Sequence, residues 1–114
     1  MTIIEKPWGK EEILEINDRY MLKRLTMFKG HRCSLQFHNM KRETIYVLMG
    51  HLKIFYGSSK DDLVMRLCGP DEQITIKPGL IHRMEAEEDC VYLEASTPET
   101  EDVVRLSDDY QRDK

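Results

Sequence analysis

Short runs of apolar residues separated by turn-forming residues recur along the whole chain. Most runs are five to nine residues long and rich in Val, Ile, Leu, Tyr and Phe, which is typical of β-strands. Helical periodicity is weak until Glu99–Arg105, where one short helical turn is predicted. Many short strands at steady spacing predict an all-β sandwich or barrel. The predicted strands are Lys10–Ile16, Tyr20–Phe28, Cys33–His38, Glu43–Met49, Leu52–Tyr56, Leu63–Leu67, Gln73–Lys77 and Val91–Ala95.

Side chains two residues apart on a strand share a face, and this rule brings polar groups together at two places. Gln36 and His38 point the same way, so the two side chains converge on one region of space. Lys23 lies on the same face as the apolar Met21 and Leu25. An unpaired buried ammonium is costly, so Lys23 either extends outward or serves a ligand.

The strand Glu43–Met49 is apolar on both faces. Ile45 and Val47 lie on one face, and Tyr46 and Leu48 lie on the other. Such a strand is expected to be covered on both sides, by the interior of the domain and by a partner sheet or subunit.

The chain has 114 residues, enough for one domain with one packed core, so residues 1–114 are expected to form a single domain. One third of the residues are charged, with a net charge of -4, which argues against a general nucleic-acid binder. An anionic small ligand remains compatible, because basic clusters can be local. The charged segment Ser107–Lys114 is expected to be solvated surface.

The expected location is the cytoplasm. No apolar run approaches the roughly 20 residues needed to cross a bilayer, and no stretch resembles a secretory signal. The three cysteines Cys33, Cys68 and Cys90 are far apart and odd in number, so buried, reduced thiols are expected.

Four side chains have the chemistry of a metal site. Gln36, His38 and Glu43 lie between two turn glycines, and His82 follows the turn Pro78-Gly79. Each residue alone is compatible with a surface role. Together, two imidazoles, a carboxylate and an amide oxygen suit a divalent cation such as Zn, Fe, Mn or Ni.

This arrangement resembles the cupin superfamily. The glycines, His38 and Glu43 match the first cupin motif, with Gln36 in its first histidine position. The second motif appears one residue shorter, as Pro78-Gly79-Leu80-Ile81-His82. The resemblance implies a small antiparallel cupin barrel, a double-stranded β-helix or jelly roll. It also implies a bound divalent metal ion, Zn first, with Mn, Fe, Ni and Co as alternatives.

Three further segments resemble the type II mannose-6-phosphate isomerase cupin, and the resemblance extends from Pro7 to Arg112. The chain differs from that pattern at Met40, Thr44 and Ile45. The resemblance implies isomerisation of a sugar phosphate between aldose and ketose in carbohydrate or polysaccharide metabolism. The matching segments are Lys6-Pro7-Trp8-Gly9, Ser34-Leu35-Gln36-Phe37-His38 and the stretch from Glu101 to Tyr110.

Such a reaction needs a proton carrier and cations that bind phosphate. Lys23, Glu94 and Arg105 are candidates for catalysis, and Arg24 and Lys41 are candidates for substrate binding. None of them is assigned firmly as the base.

Two other functions stay open. Two histidines and a carboxylate can hold non-haem Fe(II), which would suit a dioxygenase. The departures at Met40, Thr44 and Ile45 are compatible with a non-catalytic cupin that binds a sugar phosphate or a nucleotide sugar. The cupin resemblance implies a homodimer in each case, because cupins commonly pair through their sheets, and the two apolar faces of the strand Glu43–Met49 agree with this.

Overall fold

The computed structural model describes residues 1–112, which form eleven β-strands and no helix. The strands are β1 (Thr2–Lys6), β2 (Gly9–Ile16), β3 (Met21–Met27), β4 (Leu35–Phe37), β5 (Glu43–Met49), β6 (Leu52–Ser59), β7 (Asp62–Cys68), β8 (Gln73–Ile76), β9 (Ile81–Ala86), β10 (Cys90–Ser96) and β11 (Val104–Ser107). The all-β prediction is therefore confirmed. Nowhere in this part of the chain is there a helix long and apolar enough to cross a membrane.

The strands form two antiparallel sheets. The six-stranded sheet has the order β1-β2-β3-β10-β5-β8, and the five-stranded sheet has the order β11-β4-β9-β6-β7. Strands distant in sequence pair side by side, as β3 does with β10 and β4 with β9. These pairings bring the connection between β4 and β5 close to the beginning of β9.

Alternate residues of the strands build the core between the sheets. On β3 and β5, for example, Met21, Leu25, Ile45 and Val47 are buried. Burying each such side chain stabilises the fold by about 1.5–3 kcal/mol. Trp8 is only 3 % exposed and packs into the same core, so it anchors the N-terminal strands.

The predicted helical turn at Glu99–Arg105 is wrong. The chain instead makes a turn at Thr100 and Glu101 and enters β11, which pairs with β4. The neighbouring β-branched residues Val103 and Val104 favour an extended backbone, and pairing with β4 satisfies the β11 backbone.

Three strands, β1, β9 and β11, are absent from the sequence prediction. The most important is β9, which pairs with both β4 and β6 and carries His82. Its outward positions Arg83 and Glu85 are charged, and this masks an inward face made of His82, Met84 and Ala86.

The expectation that the C-terminal segment is solvated is wrong for its first part. Asp108 is 8 % exposed, and its Oδ2 accepts hydrogen bonds from the backbone N–H and the Nε of Arg112, both at 2.7 Å. Tyr110 packs against the core. Residues 113 and 114 lie outside the described part of the chain.

The Asp108–Arg112 contact predicts acid-sensitive stability. The Arg112 side chain lowers the pKa of Asp108 from 3.8 to about 2. Because the folded pKa is depressed, the stabilisation is complete above pH 3.8 and is lost as the pH falls through about 2. Asp108→Asn should lower the free energy of unfolding at pH 7 by about 1–3 kcal/mol, and the difference should shrink in acid.

Urea unfolding at pH 7 and at lower pH values measures this effect. Asp61→Asn makes the same charge change in an exposed turn and should leave stability within about 0.5 kcal/mol of the parent. An Asp108→Asn variant as stable as Asp61→Asn at neutral pH would show that the contact does not stabilise the fold.

Candidate metal centre

Three buried side chains from both sheets meet between the two sheets. His38 follows the end of β4, Glu43 begins β5, and His82 is the second residue of β9. Their exposed fractions are 3 %, 2 % and 0 %. One candidate ligand atom from each residue lies within 4.8 Å of the other two, which is a suitable spacing for a single metal ion.

Backbone carbonyls fix how the two imidazoles face. The Nδ1 of His38 is 2.5 Å from the carbonyl oxygen of Asp102, and the Nδ1 of His82 is 2.9 Å from that of Leu80. A carbonyl oxygen can only accept a hydrogen bond, so each Nδ1 carries the hydrogen. In the neutral rings, Nε2 is then an unprotonated ligand atom.

Both Nε2 atoms face the same carboxylate oxygen. The Oε1 of Glu43 is 3.4 Å from the Nε2 of His38 and 3.1 Å from the Nε2 of His82. All three atoms are buried, and none makes a hydrogen bond of acceptable geometry within residues 1–112. Three buried groups with lone pairs turned toward each other need a cation between them, so the site fits a metal ion.

Nearby charges shift the pKa values of two of these ligands. Burial opposes the charged form of His38, but its contact with Glu43 outweighs burial and raises the pKa of the imidazole. Burial likewise opposes ionisation of Glu43. The two histidines and Lys41 nevertheless hold the pKa of that carboxyl well below its usual range. The site therefore favours a carboxylate next to positive charge.

Gln36 lies beside these groups. Its Cα is directly opposite that of His82 in the β4–β9 pair, so the two side chains share a face of the sheet. The hydroxyl of Ser34 donates a hydrogen bond to Gln36 Oε1 at 2.7 Å, and Gln36 lines the adjoining cavity. The amide is thus held near the three ligands.

A ladder of alternating charges extends from the metal ligands. The Nζ of Lys41 is 3.3 Å from Oε2 of Glu43 and 3.1 Å from Oε2 of Glu94. The Nζ of Lys23 is 4.0 Å from Glu94 Oε2 and 3.1 Å from Glu11 Oε1. Each buried ammonium therefore has two carboxylate neighbours, which offsets the cost of its desolvation.

The ladder affects Lys41 and Glu94 differently. Burial opposes the charge of Lys41, but the carboxylates of Glu94 and Glu43 raise its pKa, so it stays a cation. Burial and the nearby charge of Glu43 raise the pKa of Glu94, although Lys41 and Lys23 oppose the shift. A carboxyl group with a raised pKa is better suited to carrying a proton at neutral pH.

These residues surround a cavity of about 190 Å³, and Arg105 lines both this cavity and a smaller adjoining one of about 60 Å³. Within residues 1–112, no carboxylate forms an ion pair with Arg105, and its Nε is buried without a hydrogen-bond partner. Arg105 is therefore available to an anionic ligand.

Arg24, in contrast, does not reach the cavity. Residues alternate along β3, so Arg24 lies on the face opposite Lys23, and its Nε and Nη2 donate to the Glu12 carboxylate at 3.1 and 2.9 Å. Among the described residues, Arg24 is absent from the cavity lining. Arg24 therefore faces away from this cavity.

Sequence reasoning missed Glu11 and Asp102, which both line the cavity. Glu11 is opposite Leu25 in the β2–β3 pair and so shares the inward face with Lys23. Strand alternation could have found it. Asp102 contacts residues more than 60 positions earlier in the chain, and no local pattern signals such contacts.

The two sheets and the enclosed histidines and glutamate define a small cupin-type protein with a candidate metal centre. Residues 2–108 match the family described as mannose-6-phosphate isomerase C-terminal, and the chain belongs to this family.

A curated relative is the mannose-1-phosphate guanylyltransferase of Escherichia coli (strain K12), which is 32 % identical over 114 residues. The match covers 96 % of this chain and 23 % of the relative. The chain thus spans less than a quarter of the length of that enzyme.

Two solved structures show the cupin fold. The capsular polysaccharide assembling protein CapF from Staphylococcus aureus has a TM-score of 0.81 at 18 % identity, covering 93 % of this chain and 31 % of that chain. An RmlC-like cupin from Shewanella frigidimarina has a TM-score of 0.76 at 18 % identity, covering 88 % of this chain and 86 % of that chain. The expected cupin fold is confirmed.

The metal centre predicts a specific loss of metal affinity. His82→Ala removes one imidazole and should weaken Zn²⁺ binding by about 100-fold or more, since even loss of a supporting partner costs about 10–100-fold. Binding should also weaken in acid, because the ligands must be deprotonated. Competition with a chromophoric chelator measures the affinity.

His51→Ala is the matched control, because His51 is exposed and its Nδ1 contacts Glu88 outside the cavity. It should bind Zn²⁺ like the parent protein. Equal affinities for the His82→Ala and His51→Ala variants would contradict the site.

Proposed function

We propose that this domain is a metal-dependent sugar-phosphate isomerase of the mannose-6-phosphate type. The observation that carries the proposal is the convergence of three buried ligand atoms, from His38, Glu43 and His82, beside a cavity that Arg105 also lines. Within residues 1–112, these three atoms have no hydrogen-bond partner, and Arg105 forms no ion pair. Membership of the mannose-6-phosphate isomerase C-terminal family supports the same reaction.

Gln36, His38, Glu43 and His82 would hold the metal ion. The donor set of two nitrogens and two oxygens suits Zn²⁺ first, with Mn, Fe, Ni and Co as alternatives. When bound, the ion supplies positive charge that stabilises an oxyanion developing on a sugar oxygen.

Glu94 is the residue we assign to proton transfer. Its carboxylate would accept the proton from C2 of the aldose and return it to C1 of the enediolate. A second proton would pass from the C2 hydroxyl to the C1 oxygen, which completes the conversion of the aldose to the ketose. Its burial and its contact with Lys41 support the role, because they hold the carboxylate in one orientation. Lys23 provides a second positive neighbour for this carboxylate.

Arg105 is the residue we assign to the phosphate group. Its guanidinium can make paired hydrogen bonds to phosphate oxygens. Lys41 and Lys23 are already neutralised by carboxylates, whereas Arg105 has no such partner in residues 1–112. Lys41 would therefore act indirectly, by pairing with the carboxylates of Glu43 and Glu94.

A coupled assay that converts mannose 6-phosphate to fructose 6-phosphate, with Zn²⁺, Mn²⁺, Co²⁺ or Ni²⁺ added, tests the proposal. Arg105→Ala should raise KM about tenfold or more, because a charged hydrogen bond to phosphate is lost. Glu94→Gln should lower kcat about 100-fold or more, because general acid–base catalysis is removed.

Arg24→Ala is the matched control for Arg105→Ala and should leave KM unchanged. A metal-loaded protein that turns over no hexose or pentose phosphate would contradict the isomerase proposal.

The same experiment separates two alternative functions. Saturable binding of a sugar phosphate or nucleotide sugar without turnover would indicate a binding protein, and Fe(II)-dependent oxygen consumption would indicate a dioxygenase. The binding alternative rests on the departures at Met40, Thr44 and Ile45. Within the described residues, these three side chains do not line the cavity, so they leave its chemistry intact.

We further propose that residues 1–114 form one domain that works in the cytoplasm. One core enclosed by two sheets supports the first statement. Three buried free cysteines support the second, because thiols stay reduced in that compartment.

We also propose a homodimer formed through the outer face of the six-stranded sheet. Leu48 projects from that face of β5 and is 43 % exposed. Light scattering should give about twice the monomer mass of 13.5 kDa. Leu48→Lys should give the monomer mass, whereas Val64→Lys, a control on the edge strand β7, should not. A parent protein of monomer mass would contradict the dimer.

A further inference from the structure

Asp102 connects the C-terminal segment to the connection between β4 and β5. Its Oδ1 accepts a hydrogen bond from the backbone N–H of Asn39 at 3.0 Å. Its Oδ2 accepts from the N–H groups of Met40 and Lys41 at 2.6 and 2.9 Å. Its own backbone carbonyl contacts Nδ1 of His38. One residue therefore makes four contacts with four consecutive residues.

The connection held by Asp102 joins two residues of the metal centre. It begins with His38 and leads to Glu43, the first residue of β5, and the residues between them belong to no strand. Three consecutive N–H groups here would otherwise lack an acceptor inside the fold. Their convergence on one carboxylate sets the path of the chain, and that path sets the distance between His38 and Glu43.

We propose that Asp102 is a positioning residue for the metal centre. Its carbonyl selects the tautomer in which Nε2 of His38 is the ligand atom, and its carboxylate fixes the connection that places this ring against Glu43. Such supporting partners of ligating histidines commonly affect metal affinity strongly. The three N–H donors also lower the pKa of Asp102, so the carboxylate is ionised at neutral pH.

This inference rests on the metal centre of the proposed function but not on the isomerase reaction. It is therefore tested by metal binding rather than by turnover. A role limited to stability would change the melting temperature and leave the metal environment untouched, whereas a positioning role changes the environment itself.

Zn²⁺ affinity and the visible spectrum of the Co²⁺-loaded protein are the two readouts. Asp102→Ala should weaken Zn²⁺ binding about 10–100-fold and change the Co²⁺ absorption bands. Asp102→Asn keeps one carbonyl acceptor and should fall between the parent and Asp102→Ala. The Asn variant decides the question if the Ala variant fails to fold by circular dichroism.

Asp109→Ala is the matched control. It removes the same charge from the same segment, but Asp109 pairs with Arg32 at 2.7 and 2.9 Å and, among the described residues, does not line the cavity. It should bind Zn²⁺ like the parent and give the parent Co²⁺ spectrum.

The outcomes separate the two hypotheses. If the parent protein binds Zn²⁺ and both Asp102 variants bind it equally well with unchanged Co²⁺ spectra, the positioning role is overturned and the metal centre stands. If the parent itself binds neither ion, the metal centre is overturned, and the positioning role with it.

Discussion

A buried carboxylate oxygen that faces two imidazole lone pairs is the constraint on which the site depends. The Oε1 of Glu43 lies 3.1 and 3.4 Å from the Nε2 atoms of His82 and His38. These atoms have almost no solvent-accessible surface, and no hydrogen bond in the described chain satisfies them. Buried lone pairs that face one another are unfavourable unless a cation lies between them. The two sheets hold the three ligands in place: Glu43 belongs to β5, His82 belongs to β9, and His38 directly follows β4.

The charged residues around this centre have two roles: one set forms ion pairs within the ladder, and Arg105 is left to bind a ligand. Lys41 and Lys23 alternate with Glu43, Glu94 and Glu11, so every ammonium in the ladder is matched by carboxylates. Arg105 is outside the ladder. The cavity thus has a neutralised side next to the ligands and a cationic side next to β11, an asymmetry that suits a ligand with one anionic end.

Alternation along the strands predicted much of this arrangement. The strand Glu43–Met49 has the predicted bounds, and the period of two correctly put Lys23 on the inward face. The same rule places Arg24, one residue further along, on the outward face, where it pairs with Glu12. Strand β9 is not predicted from the sequence, because its outward residues Arg83 and Glu85 are charged and the segment has few apolar residues in a row.

Other parts of the site depend on contacts that sequence spacing does not show. The spacing of His38, Glu43 and His82 indicated a shared metal, but Asp102 acts on a segment more than 60 residues away in the chain. The local pattern of the segment that carries Asp102 and Arg105 predicts a helical turn, but its residues from Val104 pair with β4 as a strand. Tertiary pairing overrides weak local preferences at such places.

Anomalous X-ray diffraction at the zinc edge from crystals grown with Zn²⁺ tests the central claim most directly. We predict one strong anomalous peak at about 2.0–2.2 Å from the Nε2 atoms of His38 and His82 and from a carboxylate oxygen of Glu43. A map without a peak between these atoms, or with zinc bound only at surface residues, would contradict it.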